Sequence, residues 1–179
     1  MTQVGNVYGE ALYTLALEEQ LTGKLLEELT VLSQSFRENP DFIRLLSSPN
    51  LPKQERCQIL DDSFRGKVHA YVLNFLKILT EKGYMKHFFD CFKTFEDEYN
   101  RDNGILPVTA ITAIALSEEQ AAKLADKLSR ATAKQVKLHN LVDPSVLGGV
   151  RLDYDGKRLD DTVSHRMDAI TKALKGTVL

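Results

Sequence analysis

Four carboxylates fall within nine residues near the C-terminus: Asp153, Asp155, Asp160 and Asp161. Such a cluster suits a hard divalent cation or an acid–base pair. The Asp-x-Asp-Gly fragment at 153–156 lacks the later ligands of a calcium loop, and Lys157 and Arg158 sit between the acids. Hairpin and cap roles account for these residues better. The histidines, His69, His87, His139 and His165, are scattered, and none has a partner at metal-ligand spacing. Ser47, Ser117 and Ser164 lie in no nucleophile-elbow context. Cys57 and Cys91 sit on apolar helical stripes and read as buried, reduced thiols. Gly148-Gly149 is neither a dinucleotide fingerprint nor a P-loop, so any nucleotide link is indirect. Two chemical readings stay open. One is a small enzyme using Asp153, Asp155 and His165. The other is an RNA-binding adaptor using Lys123, Lys127, Arg130, Lys134 and Lys137 as a basic face.

Composition narrows the choice. The chain has 179 residues, 43% apolar and 27% charged, as in ordinary globular proteins. No apolar run approaches the roughly 18 residues of a membrane span. The N-terminus, MTQVGNVYGEALY, reads as neither a signal peptide nor a transit peptide. The net charge of −2 gives no general electrostatic reason to bind nucleic acid. It is unevenly spread. Residues 1–105 hold 12 basic and 16 acidic side chains, a net of −4; residues 106–179 hold 11 and 9, a net of +2. The step coincides with a change of pattern and places a domain boundary there.

Six helices are expected before that boundary. The first, over 4–19, repeats Val4, Val7, Tyr8, Ala11, Leu12 and Leu15 at three and four residues. Gly9, Tyr13, Ala16 and Leu17 form a second stripe beside it. Leu21, Leu25, Leu29, Leu32 and Phe36 mark the second helix, over 20–37. Asn39 is expected to cap a short third helix, with Pro40 at its first position. Pro52 opens a fourth. The fifth runs from Gly66 to Lys82 on Val68, Tyr71, Val72, Phe75, Leu76 and Leu79, and carries Ala70, Leu73 and Ile78 off that stripe. The sixth covers 84–101. Short loops joining them imply an antiparallel six-helix bundle.

Asp102-Asn103-Gly104 is turn chemistry. Residues 105–114 read as a strand, which Pro107 confines to a strand start or an edge. Ser117 and Gln120 make a capping box for a helix to about Ala133. Val136, Leu138, Asn140 and Val142 alternate as a second strand, giving a βαβ unit. A third strand is expected over Val146–Tyr154, with Gly148 and Gly149 inside it permitting a bulge or the close approach of another backbone. Asp155-Gly156 makes a two-residue hairpin to a short return strand, Lys157 to Asp160. Asp161 caps a closing helix on Val163, Met167, Ile170 and Leu174, with Lys172 and Lys175 in its last turn and Gly176 ending it. The fold class is thus α+β in two domains: residues 1–104 a helical bundle, residues 105–179 a small two-layer α/β domain. About 75 residues bury only a modest core, so this domain is expected to lean on a partner.

The first and fifth helices carry more apolar surface than one packed face requires, since a roughly 100° arc suffices. If they are neighbours, Tyr13, Ala16, Leu17, Leu73 and Ile78 could line a groove for an amphipathic helix, with Gly9 and Ala16 admitting a close backbone. If both helices are central, the same residues are core. The residues alone leave both readings open.

A resemblance bears on that choice. Asp143, Pro144, Gly148, Gly149, Gly156, Asp160, Thr162, Val163 and Arg166 resemble the C-terminal signature of the delta subunit of F-type ATP synthases, whose mitochondrial relative is the oligomycin-sensitivity-conferring protein. Asp161 departs from it, where a small residue is more usual. Tyr8-Gly9-Glu10-Ala11-Leu12 resembles the family's opening Tyr-Ala-x-Ala-Leu, with Gly for the first Ala. Phe42 to Pro49 and Asn74-Phe75-Leu76-Lys77 resemble two further family segments, so the likeness covers nearly the whole chain.

The resemblance implies a stator subunit without catalysis or cofactor. Its N-terminal bundle would hold the N-terminal helices of the alpha subunits through the first and fifth helices, at Tyr8, Gly9, Leu12, Tyr13, Ala16, Leu17, Leu73, Asn74, Lys77 and Ile78. Its C-terminal domain would bind the end of the b-subunit stalk. One copy per complex would sit at the cytoplasmic face of a bacterial plasma membrane, touching the membrane only through the complex and binding no nucleic acid. The alternative is a small cytosolic interaction adaptor with no ATP synthase role.

Overall fold

The computed structural model describes residues 2–162. The expected closing helix, with Val163, Arg166 and the stripe from Val163 to Leu174, lies outside the described residues. The chain divides into two compact units, Met1–Tyr99 and Asn100–Leu179. The class is α+β, with helices preceding a four-stranded sheet.

In the first unit the α-helices are α1 (Gln3–Glu18), α2 (Thr22–Glu38), α3 (Pro40–Ser47), α4 (Lys53–Phe64), α5 (Ala70–Glu81) and α6 (Phe88–Asp102), the last preceded by a 3₁₀ turn at Met85–His87. Their starts and stops follow local chemistry. The Thr2 hydroxyl accepts the Gly5 N–H and opens α1. Gly83 ends α5 at φ +72°, and the Tyr84 N–H returns to the Leu79 carbonyl at 2.7 Å, closing the helix end. Two expectations need correction. Asn39 stands at the N-cap position of α3 but makes no side-chain cap bond there; its side-chain amide donates to the Ser35 carbonyl at 3.0 Å and so closes the end of α2. The fifth helix starts at Ala70, not Gly66, because Gly66 turns the chain at φ +77° and His69 is the residue whose ring caps the helix.

One core fills this unit, built on Leu25, Leu29, Leu32 and Phe36 of α2. The Phe36 ring meets Phe42, Phe64 and Phe88 at centroid distances of 5.7, 6.1 and 4.9 Å, so one side chain ties α2 to α3, α4 and α6. The buried face of α1 is rotated from the expected one. Gly5, Gly9, Leu12, Tyr13 and Ala16 are buried, while Val7 and Ala11 are exposed. Periodicity gives weight to bulky apolar residues, but here small ones decide the packing. A Cβ on Gly9 would lie 2.5 Å from the Cys91 carbonyl oxygen, and one on Gly5 would collide with the Asp90 Cβ. Helix α1 therefore lies backbone-close on α6.

The second unit is a sheet of order β2-β1-β3-β4, from β1 (Ile105–Thr112), β2 (Gln135–Val142), β3 (Val150–Tyr154) and β4 (Lys157–Asp160). β1 runs parallel to β2 and antiparallel to β3. Helix α7 (Glu118–Thr132) connects β1 to β2 and opens on the expected Ser117–Gln120 capping box. Its Leu124 and Leu128 pack on Leu106, Val108, Ala110 and Leu152 of the sheet. At its end Ala133 takes a left-handed φ of +54°, where glycine is usual. Pro107 sits in a central strand, yet only β2 pairs beside it, because the β3 register begins at Val108. Asn140 occupies an inward position because its amide donates to the Ala110 carbonyl and the Thr112 hydroxyl, both at 2.9 Å, while its oxygen accepts the Leu116 N–H at 2.8 Å. It pins the loop entering α7.

The hairpin is as expected, with Asp155 and Gly156 at φ +47° and +69°. The preceding strand is shorter than expected. Pro144–Val146 is a 3₁₀ turn, Leu147 is left-handed at φ +58°, and β3 starts only at Val150. Gly148 and Gly149 thus precede the strand instead of lying inside it. Close approach is nevertheless what Gly149 supplies, since a Cβ there would collide with the Asp161 carbonyl oxygen and lie 3.0 Å from the Thr162 Cα.

Gly149→Ala meets both a left-handed backbone at φ +83° and a backbone wall, whereas Gly156→Ala meets strain and open space. The expected losses are about 3 and about 1 kcal/mol respectively, read from hydrogen exchange of the β1 amides. A second outcome follows from two lowered carboxyls. A hydrogen bond from Lys77 holds Asp61 below its ordinary value, and one from the Thr2 hydroxyl does the same for Asp90. A folded-state value below the unfolded one adds stability that is present above the ordinary value and lost as pH falls through the lower one. Acid unfolding below about pH 4 should therefore flatten in the double variant Asp61→Asn, Asp90→Asn.

Candidate functional site

The ten residues expected to meet a partner do not share one surface. Gly9, Leu12, Tyr13, Ala16 and Leu73 are buried in the chain's own core. The Tyr13 ring stands edge-on to Phe95 at 5.3 Å, and Gly9 serves the contact with α6. The wide apolar arc of α1 is consumed in burying this helix, as is most of α5. What faces outward is smaller: Leu17 at 52% exposure, Ile78 at 44%, and Asn74. Tyr8 is half-buried against Tyr84, with ring centroids 5.8 Å apart. Lys77 is half-buried and holds Asp61 at 2.7 Å, in a carboxylate shared with Arg65 at 3.1 Å. Sequence reasoning missed Val7, which is 58% exposed. The small residues at 5, 9 and 16 were the signal that the buried face lies elsewhere.

The C-terminal signature residues build a structural knot. The Asp143 carboxylate accepts the Ser145 N–H at 3.0 Å and hydroxyl at 2.6 Å, which keeps its carboxyl below the ordinary value. Its own N–H donates to the Thr112 carbonyl at 2.8 Å. Pro144 then opens the 3₁₀ turn that leads to Gly148 and Gly149. Asp160 accepts the Thr162 N–H at 3.0 Å and hydroxyl at 2.6 Å, and Thr162 is buried. Gly149 is where these two turns touch, and Gly156 belongs to the hairpin.

The groups with chemical potential are dispersed. Asp153 pairs across the hairpin with Arg158 at 2.9 Å, and Asp155 sits in the turn. Among the described residues no group of three or more His, Cys, Asp or Glu side chains could hold a metal ion. His69 accepts the Tyr71 N–H, His87 lies 3.3 Å from the Thr2 hydroxyl, and His139 is exposed on β2; His165 and Ser164 lie outside the described residues. Cys91 is buried, which pushes its thiol up to about 11. Cys57 is only half-buried, 3.9 Å from the Glu81 carboxylate. The basic residues of α7 are interleaved with acids: Lys123 pairs with Glu119 at 2.5 Å and Arg130 with Asp126 at 2.7 Å. Two of the five residues named for a basic face are thus ion-paired with acids of the same helix.

Comparison with known proteins supplies the family. The family model for the ATP synthase delta (OSCP) subunit matches residues 4–174. An ATP synthase subunit delta from Clostridioides difficile is 32% identical over 176 residues, covering 98% of this chain and 97% of that protein. One from Lactobacillus gasseri is 31% identical over 173 residues, covering 96% and 94%. In fold, the chain is similar to one in the cryo-EM structure of the Toxoplasma gondii mitochondrial ATP synthase hexamer, with a TM-score of 0.79, 19% identity, and coverage of 97% and 98% of the two chains. With the match running through both units and the two glycine turns of the signature, the chain belongs to the ATP synthase delta (OSCP) subunit family.

Proposed function

We propose that this chain is the stator connector of a rotary, proton-translocating ATP synthase, tying the catalytic head to the peripheral stalk so that rotation is coupled to ATP synthesis. The observation that carries this reading is the family match over residues 4–174. It favours the stator over the free-standing adaptor, because the relatives align over nearly their whole length. The subunit is non-catalytic in this reading. Its work is to resist torque.

Residues 1–104, an antiparallel six-helix bundle, receive the N-terminal helices of the alpha subunits. Residues 105–179 receive the C-terminal end of the b-subunit stalk. One copy serves each complex, at the cytoplasmic face of a bacterial plasma membrane. Among the described residues no helix is long and apolar enough to cross a membrane. A link that outlasts many turnovers must dissociate slowly. Nanomolar affinity corresponds to about −12 kcal/mol, which a few apolar anchors can supply. Leu17 and Ile78 are the outward-facing anchors among the residues named for the alpha-subunit helix, with exposed Asn74 one turn before Ile78 on α5; Tyr13, Ala16 and Leu73 are buried and fix the helices that carry them.

Calorimetry of the full chain with a peptide of the alpha-subunit N-terminus should give a submicromolar dissociation constant. Absence of binding would remove the head-binding role. Leu17→Asp and Ile78→Asp should each weaken that binding about tenfold or more with little change in melting temperature. Tyr13→Ala should instead lower stability by about 3 kcal/mol or more, as loss of a buried aromatic does.

A further inference from the structure

A cavity lies where α2, α3 and α4 meet, and no role above uses it. Its volume is about 640 Å³, within the range of small-molecule sites. Phe36, Phe42 and Phe64 form an aromatic floor: Phe42 stacks on Phe36 at 5.7 Å and 20°, and Phe64 stands edge-on to Phe42 at 5.8 Å and 88°. Phe36 is buried, while Phe42 and Phe64 are half-buried and open to the cavity. Leu45 adds an exposed aliphatic wall.

The charged lining has one sign. Glu38 and Asp41 line the cavity, and no lysine, arginine or histidine does. Asp41 is ion-paired to Arg44 at 2.8 Å, so its charge is already compensated. The Glu38 carboxylate accepts the Gln34 amide at 3.1 Å, a neutral donor. An aromatic floor attracts a cation through its negative ring faces, and a carboxylate at the rim adds to the attraction. A neutral apolar ligand would use the floor alone, and an anion would be repelled.

We propose that this cavity binds a small organic cation with an apolar body, such as an aryl or alkyl quaternary ammonium, its charge set between the Phe42 and Phe64 rings and the Glu38 carboxylate. The lining of the site on α2, α3 and α4 includes none of the residues named on α1 and α5, so it stands or falls independently of the stator reading.

The test is NMR titration of the full chain with benzyltrimethylammonium, alongside its neutral carbon isostere neopentylbenzene. Amide shifts should move at Phe42, Leu45 and Phe64, and the isostere should bind more weakly by about threefold or more, the size of a cation–aromatic contact. Glu38→Gln, an exposed change that leaves the core alone, should weaken the cation several-fold and leave the isostere unchanged. Phe42→Leu keeps the cavity apolar and should reduce the preference for the cation. Equal binding of the two probes, or shifts confined to other surfaces, would overturn the proposal.

Discussion

How closely α1 lies on α6 governs what the first unit can offer to anything outside it. Gly5 and Gly9 bring the two backbones together at distances no side chain would allow. That contact takes the inner edge of α1, and Tyr13 and Ala16 are buried with it. Thr2 reinforces the same seam from the helix start, where its hydroxyl bonds Asp90 at 2.7 Å. The outward face is therefore mostly polar, with Val7, Ala11 and Leu17 set among Asn6, Glu10 and Thr14. A tether benefits from this division. Rigid inner packing fixes the angle of the helix, and the outer residues proposed as anchors are carried on it.

In the second unit, backbone geometry does the comparable work. Two short turns, one centred on Asp143 and one on Asp160, are each closed by a carboxylate that takes both the N–H and the hydroxyl two residues on. Gly149 lets them touch. The family signature is therefore dense in Asp, Gly and Thr for reasons of turn chemistry, and the acids in it are occupied by their own neighbours instead of converging on an ion.

Much of this was legible in the sequence. Element types and order, the capping box at Ser117 and the Asp155-Gly156 hairpin all follow from local rules. The buried face of α1 was only partly legible: periodicity weights Val7, which is exposed, and the small residues of the second stripe fit a partner's backbone as well as the seam with α6 that Gly9 in fact serves. Asn39 misled for a related reason. An asparagine between two helices can close the first or open the second, and only the Ser35 carbonyl decides. The start of β3 was misplaced because Val146 and Gly148 keep the strand alternation through a segment whose backbone is a turn. Of the proposed contact residues, five of ten are core, since a wide apolar arc reads the same whether it meets a partner or the rest of the fold.

Among the described residues, four that are not glycine, Gln20, Ala133, Leu147 and Asp155, hold left-handed backbone angles. Gln20 and Ala133 stand just past the ends of α1 and α7, where an L side chain carries a conformational penalty of roughly 1 kcal/mol that glycine would escape. The fold thus keeps unused thermostability headroom at two helix exits. Natural proteins commonly stop at sufficient robustness, and an engineer seeking a hardier version has two glycine substitutions available, at Gln20 and at Ala133.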